Sequence, residues 1–364
     1  MRARAALLLV WLAACAPTYA EGYQESLGAG LRAQNAGRYE EAVAAFEKAA
    51  DIGDRYKDRD EARLLAAGSL EKLGRWDEAE ATYRRVERES DGRYQGVRAA
   101  FETGRVVWEQ RGFDEGSKEL LAAVRKYPSS GLVRHAVMRM REHVEDESGP
   151  DAALAWLLPI RASLAGTEAE EAVEYEYAKL LARCGKKEDS IRALLREARK
   201  FKYPAGSLTD DAYFVASLFL EDVGRPKEAI DVLEEMMRPA EAAYAGASYE
   251  RPRWPEGAFR IGMLYRDALK DRARAKIELR RAYDEHTPWR HADRVLWTLA
   301  KTFHEDGEER ETCETLERLK KEKPDSRYLR CIHELCPSMP AEAKPCQPYL
   351  RESIGLERED PSER

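Results

Sequence analysis

The residues best equipped for chemistry are cysteines near the C-terminal end. Cys313, Cys331, Cys336 and Cys346 fall within 52 residues, and Cys184 stands apart as an expected buried thiol. Four such residues allow three disulfide pairings. Cys331 and Cys336 lie five apart on one predicted helix and are poorly placed to bond each other. Two pairings remain, and the favoured one is Cys313–Cys331 with Cys336–Cys346, pinning the tail onto the last repeat. Zinc held by Cys331, His333, Cys336 and Cys346 is the alternative. It is weakened because His333 follows Cys331 by two, on nearly the opposite helix face. The six histidines are scattered, and neither a His-Glu-x-x-His pair, a glycine-rich phosphate loop nor a Gly-x-Ser-x-Gly elbow occurs. No metal, cofactor or small-molecule substrate is expected.

The elements that position these residues are helices. The chain has 364 residues, of which 35% are charged, with a net charge of -7. Val, Ile and Thr are scarce, whereas Ala, Leu, Glu and Arg dominate. Strands need β-branched residues on their buried faces, and helices favour the straight-chain set. A hydrophobic fraction of 43% is too high for general disorder. The acidic balance argues against nucleic acid as a partner.

A step of 37 residues organises the helices. Tyr39, Trp76, Phe113 and Pro150 are spaced by 37, and so are Ala42, Ala79, Gly116, Ala153 and Ser190. The same step links Phe46, Tyr83, Leu120, Leu157 and Leu194. Small and large apolar residues three and four apart share one helix face. A fixed step of this size means one supersecondary unit repeated and stacked. The later series Ala229, Ala275, Thr312 opens with a step of 46, so an insertion is expected near 238–255.

The unit resembles the tetratricopeptide repeat, a pair of helices. The second helix is announced by Gly37-Arg-Tyr-Glu-Glu-Ala42, Gly74-Arg-Trp-Asp-Glu-Ala79 and Gly224-Arg-Pro-Lys-Glu-Ala229. Ile261-Gly262-Met-Leu-Tyr265 carries the Leu-Gly-x-x-Tyr form of the first helix. The resemblance implies an all-α, right-handed superhelix (an α-solenoid) of about eight helix pairs. Repeats one to five are expected over 23–207 and six to eight over 208–326, with a capping helix and a Cys/Pro-rich tail over 327–364. The fourth and fifth units, around 134–165 and 171–203, are degenerate.

In such repeats the first helix lines a groove. Its outward face would carry Phe101, Arg105 and Trp108, then Tyr175 and Lys179, Phe214, Phe259, and finally Trp297, Lys301 and His304. An aromatic recurs in five units, and rings with Arg are frequent hot spots of protein interfaces. The alternative is that each ring packs between neighbouring helices. A basic, aromatic groove would suit an extended peptide with acidic groups.

The beginning of the chain reads as an address. Met1-Arg-Ala-Arg4 precedes an apolar run, and Leu12-Ala13-Ala14-Cys15 resembles a bacterial lipobox. That resemblance implies a signal peptide over 1–14, lipidation of Cys15 and a tether over 15–22. Removing residues 1–14 takes away two Arg and leaves a charge of -9. Ala16 after the cysteine implies the outer membrane, facing the periplasm, where disulfides persist. The alternative is a soluble periplasmic protein cut after Ala20. Glu352-Ser353 resembles the catalytic pair of lytic transglycosylases, but only 11 residues follow and no lysozyme-like domain encloses the glutamate. The expected function is a non-catalytic scaffold for protein partners of the cell envelope, assisting an outer-membrane, pilus, secretin or cell-wall machine. An accessory partner of peptidoglycan enzymes is the alternative.

Overall fold

The computed structural model describes residues 19–202, 206–238, 253–286, 289–341 and 343–352. Cys15, the signal peptide, most of the 238–255 insertion and Ser353 lie outside them. The fold is all-α, and successive helices come in pairs. These are α1 (Tyr23–Asn35) with α2 (Tyr39–Ile52), α3 (Tyr56–Lys72) with α4 (Trp76–Glu89), and α5 (Tyr94–Arg111) with α6 (Phe113–Lys126). Next in order come α7 (Leu132–Ser148) and α8 (Pro150–Leu164), then α9 (Glu170–Arg183) with α10 (Lys187–Lys200), and α11 (Thr209–Asp222) with α12 (Pro226–Met237). Then α13 (Arg253–Met263) meets α14 (Arg272–His286), and α15 (Ala292–Glu305) meets α16 (Glu309–Glu322). A 3-10 turn (Arg327–Cys331), α17 (Ile332–Leu335) and α18 (Pro348–Glu352) follow. The chain divides into two compact units. One holds residues up to 147 together with 162–173, the other 148–161 together with residues from 174 onward.

The glycines foreseen as helix breakers close the first helix of most pairs. Gly37 and Gly74 adopt φ of 74° and 72°, in the left-handed region that glycine enters without a Cβ clash. The amide of Arg38 then bonds the carbonyl of Ala33 at 2.9 Å, and that of Arg75 bonds Leu70 at 2.9 Å. This six-to-one bond satisfies a carbonyl the helix end would leave bare. At the seventh pair the same slot holds Lys270, with φ of 57°. It follows a π-helical stretch, Leu264–Ala268. There the closing bond runs from Asp271 to Tyr265, one residue longer than elsewhere.

Inside the first unit, Val43, Leu64, Leu70, Tyr83, Val86 and Val106 form one apolar cluster. In the second unit a cluster runs from Phe259 through Leu279, Trp297, Phe303 and Leu316 to Tyr328 and Ile332. The fourth repeat also departs from the others at one core position. Gly30, Ala67, Gly104 and Ala178 mark one small-residue slot at steps of 37, and the place between Gly104 and Ala178 is Arg141. This arginine is almost fully buried. It pairs with Glu145 and, at 3.0 Å, with Glu142.

The C-terminal cysteines form two disulfides, but not in the expected pairing. Cys313 bonds Cys336 with Cα atoms 5.4 Å apart, and Cys331 bonds Cys346 with Cα atoms 4.7 Å apart. The reason is local. Cys331 closes the 3-10 turn and Cys336 follows α17, so the two sulfurs leave the short helix in different directions. One reaches α16 and the other the tail. With all four sulfurs bonded, the zinc set of Cys331, Cys336 and Cys346 has no thiolate to offer. Its fourth member, His333, sets Nδ1 2.7 Å from the Met339 carbonyl. Cys184 is half-buried rather than buried.

Candidate functional site

The five recurring rings expected on the groove are packing residues. Phe101, Tyr175, Phe214, Phe259 and Trp297 are all buried, Phe259 completely so. Trp297 stacks on Tyr328 with centroids 5.4 Å apart. Phe259 meets Trp289 at 6.2 Å. Lys179 is buried too, with Nζ 5.6 Å from the Tyr175 ring. The outward-facing assignment fails because a first helix is covered on more than one side. For example, α3 packs against α2, α4 and α5. A large ring on the shared stripe is therefore enclosed by its neighbours.

Four of the expected groove residues stay at or near the surface. Trp108 is half-buried, edge-on to Phe113 and to His143 at 5.1 Å each, and the Arg139 guanidinium covers it at 4.9 Å. Arg105 donates to Glu71 at 2.6 Å and to Glu102 at 2.7 Å, while the Tyr83 hydroxyl donates to Glu71 at 2.7 Å. Burial works against the Arg105 charge, yet the two carboxylates outweigh it and its pKa is raised. Lys301 donates to the backbone carbonyl of Arg351. Burial pushes its pKa down. His304 is exposed. The acidic-peptide groove thus loses Arg105 and Lys301, because both cations are already engaged within the chain.

An edge that the sequence reading missed lies in the first unit. The Arg55 guanidinium lies over the Tyr19 ring at 4.4 Å. The Arg93 guanidinium lies over the Tyr56 ring at 4.2 Å. Arg55 and Arg93 are the N-caps of α3 and α5, with extended backbone, and Tyr56 and Tyr94 are the first helical residues after them. Each arginine thereby reaches back to the tyrosine of the preceding rung. A cation over a ring face is attracted by the ring quadrupole. The third ring, Tyr94, is 72% exposed. The residue 37 on from it is Gly131, which has no side chain to lay over the ring. The signal was present in the sequence as the Arg-Tyr dipeptides at 55–56 and 93–94, 38 residues apart.

The second unit contains a cleft of about 480 Å³ between α12, α13 and α14. Met237, Trp254, Ile261 and Ala282 give it an apolar lining, with Glu278 and His286 at its margin. Burial holds the His286 pKa below its ordinary value, with Glu285 opposing. Glu352, the residue of the transglycosylase likeness, is exposed at the end of the five-residue α18. General acid catalysis on a glycan calls for an enclosed site around the carboxyl, and Glu352 lies on the surface.

The Tetratricopeptide repeat family model matches residues 33–101, and a second one, Tetratrico peptide repeat, matches residues 140–249. The chain carries tetratricopeptide repeats. The second tetratricopeptide match covers the stretch where Pro150 and Lys187 replace the aromatic of the ruler. No curated protein matches the chain in sequence. Among solved structures, a tetratricopeptide repeat protein from Parabacteroides merdae is similar at 11% identity, over 76% of this chain and 98% of that one, with a TM-score of 0.35. Naa15/Naa10 bound to HypK-THB is similar at 13% identity, over 86% of this chain and 39% of that one, with a TM-score of 0.34. BtubC (BKLC) from P. vanneervenii is similar at 12% identity, over 72% and 90%, with a TM-score of 0.33.

Proposed function

We propose that this chain is a non-catalytic scaffold that holds protein partners at the bacterial envelope, anchored through Cys15 and serving assembly of an outer-membrane, pilus, secretin or cell-wall machine. The observation that carries the binding part is the tyrosine-arginine edge of the first unit. Two rungs of that edge show what its tyrosines accept, a guanidinium over the ring face. The third ring, Tyr94, is exposed to solvent. A partner that lays an Arg or Lys over Tyr94 would extend the ladder. The net charge of -7 favours such a basic partner and speeds its approach.

The anchor rests on Leu12-Ala13-Ala14-Cys15 and on the signal-like run before it. Stable attachment by lipid needs more than one acyl chain, since a single chain binds marginally. Metabolic labelling with palmitate tests it. The wild-type chain should be labelled and sediment with membranes, and a Cys15→Ser chain should lose the label and turn soluble. A labelled Cys15→Ser chain, or an unlabelled wild type, would remove the anchor from the account.

A further inference from the structure

The tail after Cys346 is seated on the last helix pair rather than trailing from it. Leu350 is fully buried in the apolar cluster that includes Trp297, Phe303 and Ile332. Lys301 of α15 donates to the Arg351 carbonyl, and the Arg351 guanidinium grips Glu334 of α17 through two bonds of 2.6 Å. That ion pair is exposed, and exposed pairs contribute little. Tyr349, between these anchors, is 60% exposed. The two disulfides divide the work. Cys313–Cys336 ties α17 to α16, whereas Cys331–Cys346 alone bridges the seated tail to the cap. Cys331 and Cys336 are buried and Cys346 and Cys313 half-buried, so each bond has one reachable sulfur, and in the latch it is the one on the tail side. The Cys313–Cys336 sulfurs instead have the Ser338 hydroxyl beside them, at 3.8 and 3.0 Å.

We propose that residues 343–352 form a thiol-releasable strap over the last helix pair, with Cys331–Cys346 as its latch. The opening reaction is dithiol exchange. A thiolate of an external dithiol attacks Cys346 Sγ, and the bond to Cys331 breaks. Cys331 leaves as a thiolate and takes up a proton. The second thiol of the reagent then closes its own disulfide and frees Cys346 as a thiol. Two electrons pass from the dithiol to the protein. Without the latch, the strap keeps the buried Leu350 and the contacts of Arg351 with Lys301 and Glu334. Its departure uncovers the Leu350 socket and releases the Lys301 amine.

The test is a dithiothreitol titration of the full chain, quenched with an alkylating agent and read by peptide mass spectrometry. Hydrogen exchange is followed in parallel. Cys331 and Cys346 should become alkylated at a lower reagent concentration than Cys313 and Cys336. Amides of 349–352 should lose protection at least tenfold, while those of α15 and the helical circular dichroism stay unchanged. Lys301 should become more reactive to acetylation in the same samples. A Cys331→Ser/Cys346→Ser chain should show the open pattern without reductant. Protection of 349–352 that survives cleavage of the latch would overturn the proposal, as would earlier opening of Cys313–Cys336. Loss of helical signal together with the latch would also overturn it, because the bond would then be holding the pair itself. Should the double variant not fold, the wild-type titration decides alone.

Discussion

Gly30 of α1 stands directly against the Phe46 ring of α2: a Cβ on Gly30 would lie 2.5 Å from two ring carbons. The relation repeats. Gly104 faces Leu120, and Gly262 faces Leu279, each with the added Cβ at 2.7 Å from the leucine side chain. A missing methyl on the first helix and a large apolar residue on the second therefore set how closely the two helices of a pair approach.

The first prediction follows from that spacing. Gly104→Val should destabilise the chain by about 1–3 kcal/mol, the usual cost of overpacking a filled core. The obstacle includes the Leu120 backbone nitrogen at 2.9 Å, which cannot swing away. Gly68, also within a helix, has its nearest neighbour, the Tyr83 hydroxyl, at 3.9 Å. Gly68→Ala should therefore gain about 0.5–1 kcal/mol from helix propensity alone. Urea unfolding of both variants checks the opposite signs.

The second concerns Lys270, which holds the left-handed conformation that glycine holds at the end of other first helices. A non-glycine residue there carries strain of about 1 kcal/mol. Lys270→Gly should recover part of it and raise the melting temperature. An unchanged or lower value would mean that the Lys270 side chain compensates.

The third separates packing from surface. Phe259 is fully buried, so Phe259→Ala should cost about 3–5 kcal/mol. Tyr94→Ala, at a surface position, should stay within about 0.5 kcal/mol of wild type. Thermal unfolding of the two variants side by side reads this contrast.

The fourth is a pH dependence. Burial lowers the folded-state pKa of His286 below its ordinary 6.5. The unfolded chain thus binds a proton near pH 6.5 that the folded chain refuses until lower pH. Stability from the neutral form is fully present above about pH 6.5 and is lost as pH falls through the folded pKa. His291, also lowered by burial, acts with the same sign. Between pH 7 and pH 5.5 the urea midpoint should fall less in His286→Gln than in wild type.

Much of the fold was legible because each pair is built from short-range signals. Gly37, Gly74 and Gly224 broke the first helices, acidic pairs opened the second ones, and the ruler of 37 placed Ala42, Phe46 and Ala49 on one buried face. The candidate site was less legible. The sequence set Phe101, Phe214 and Trp297 in one slot of the first helices, but a slot does not say which neighbour covers it. Only the packing of successive helices shows that the slot points inward. The disulfide pairing failed for a related reason, since spacing along a helix says nothing of where a turn such as Arg327–Cys331 sends its last side chain. The Tyr19, Tyr56 and Tyr94 edge keeps close to the ruler, with steps of 37 and 38, but its arginines belong to the caps rather than to the helix faces that the period describes.

The account stands most directly on whether Tyr94 touches a partner. A photo-cross-linking residue placed at Tyr94 in cells should yield one adducted protein. An Asp at the contacting Arg or Lys of that protein should abolish the adduct, and the same probe at buried Trp297 should give none. No adduct at Tyr94, or equal adducts at both positions, would contradict the account.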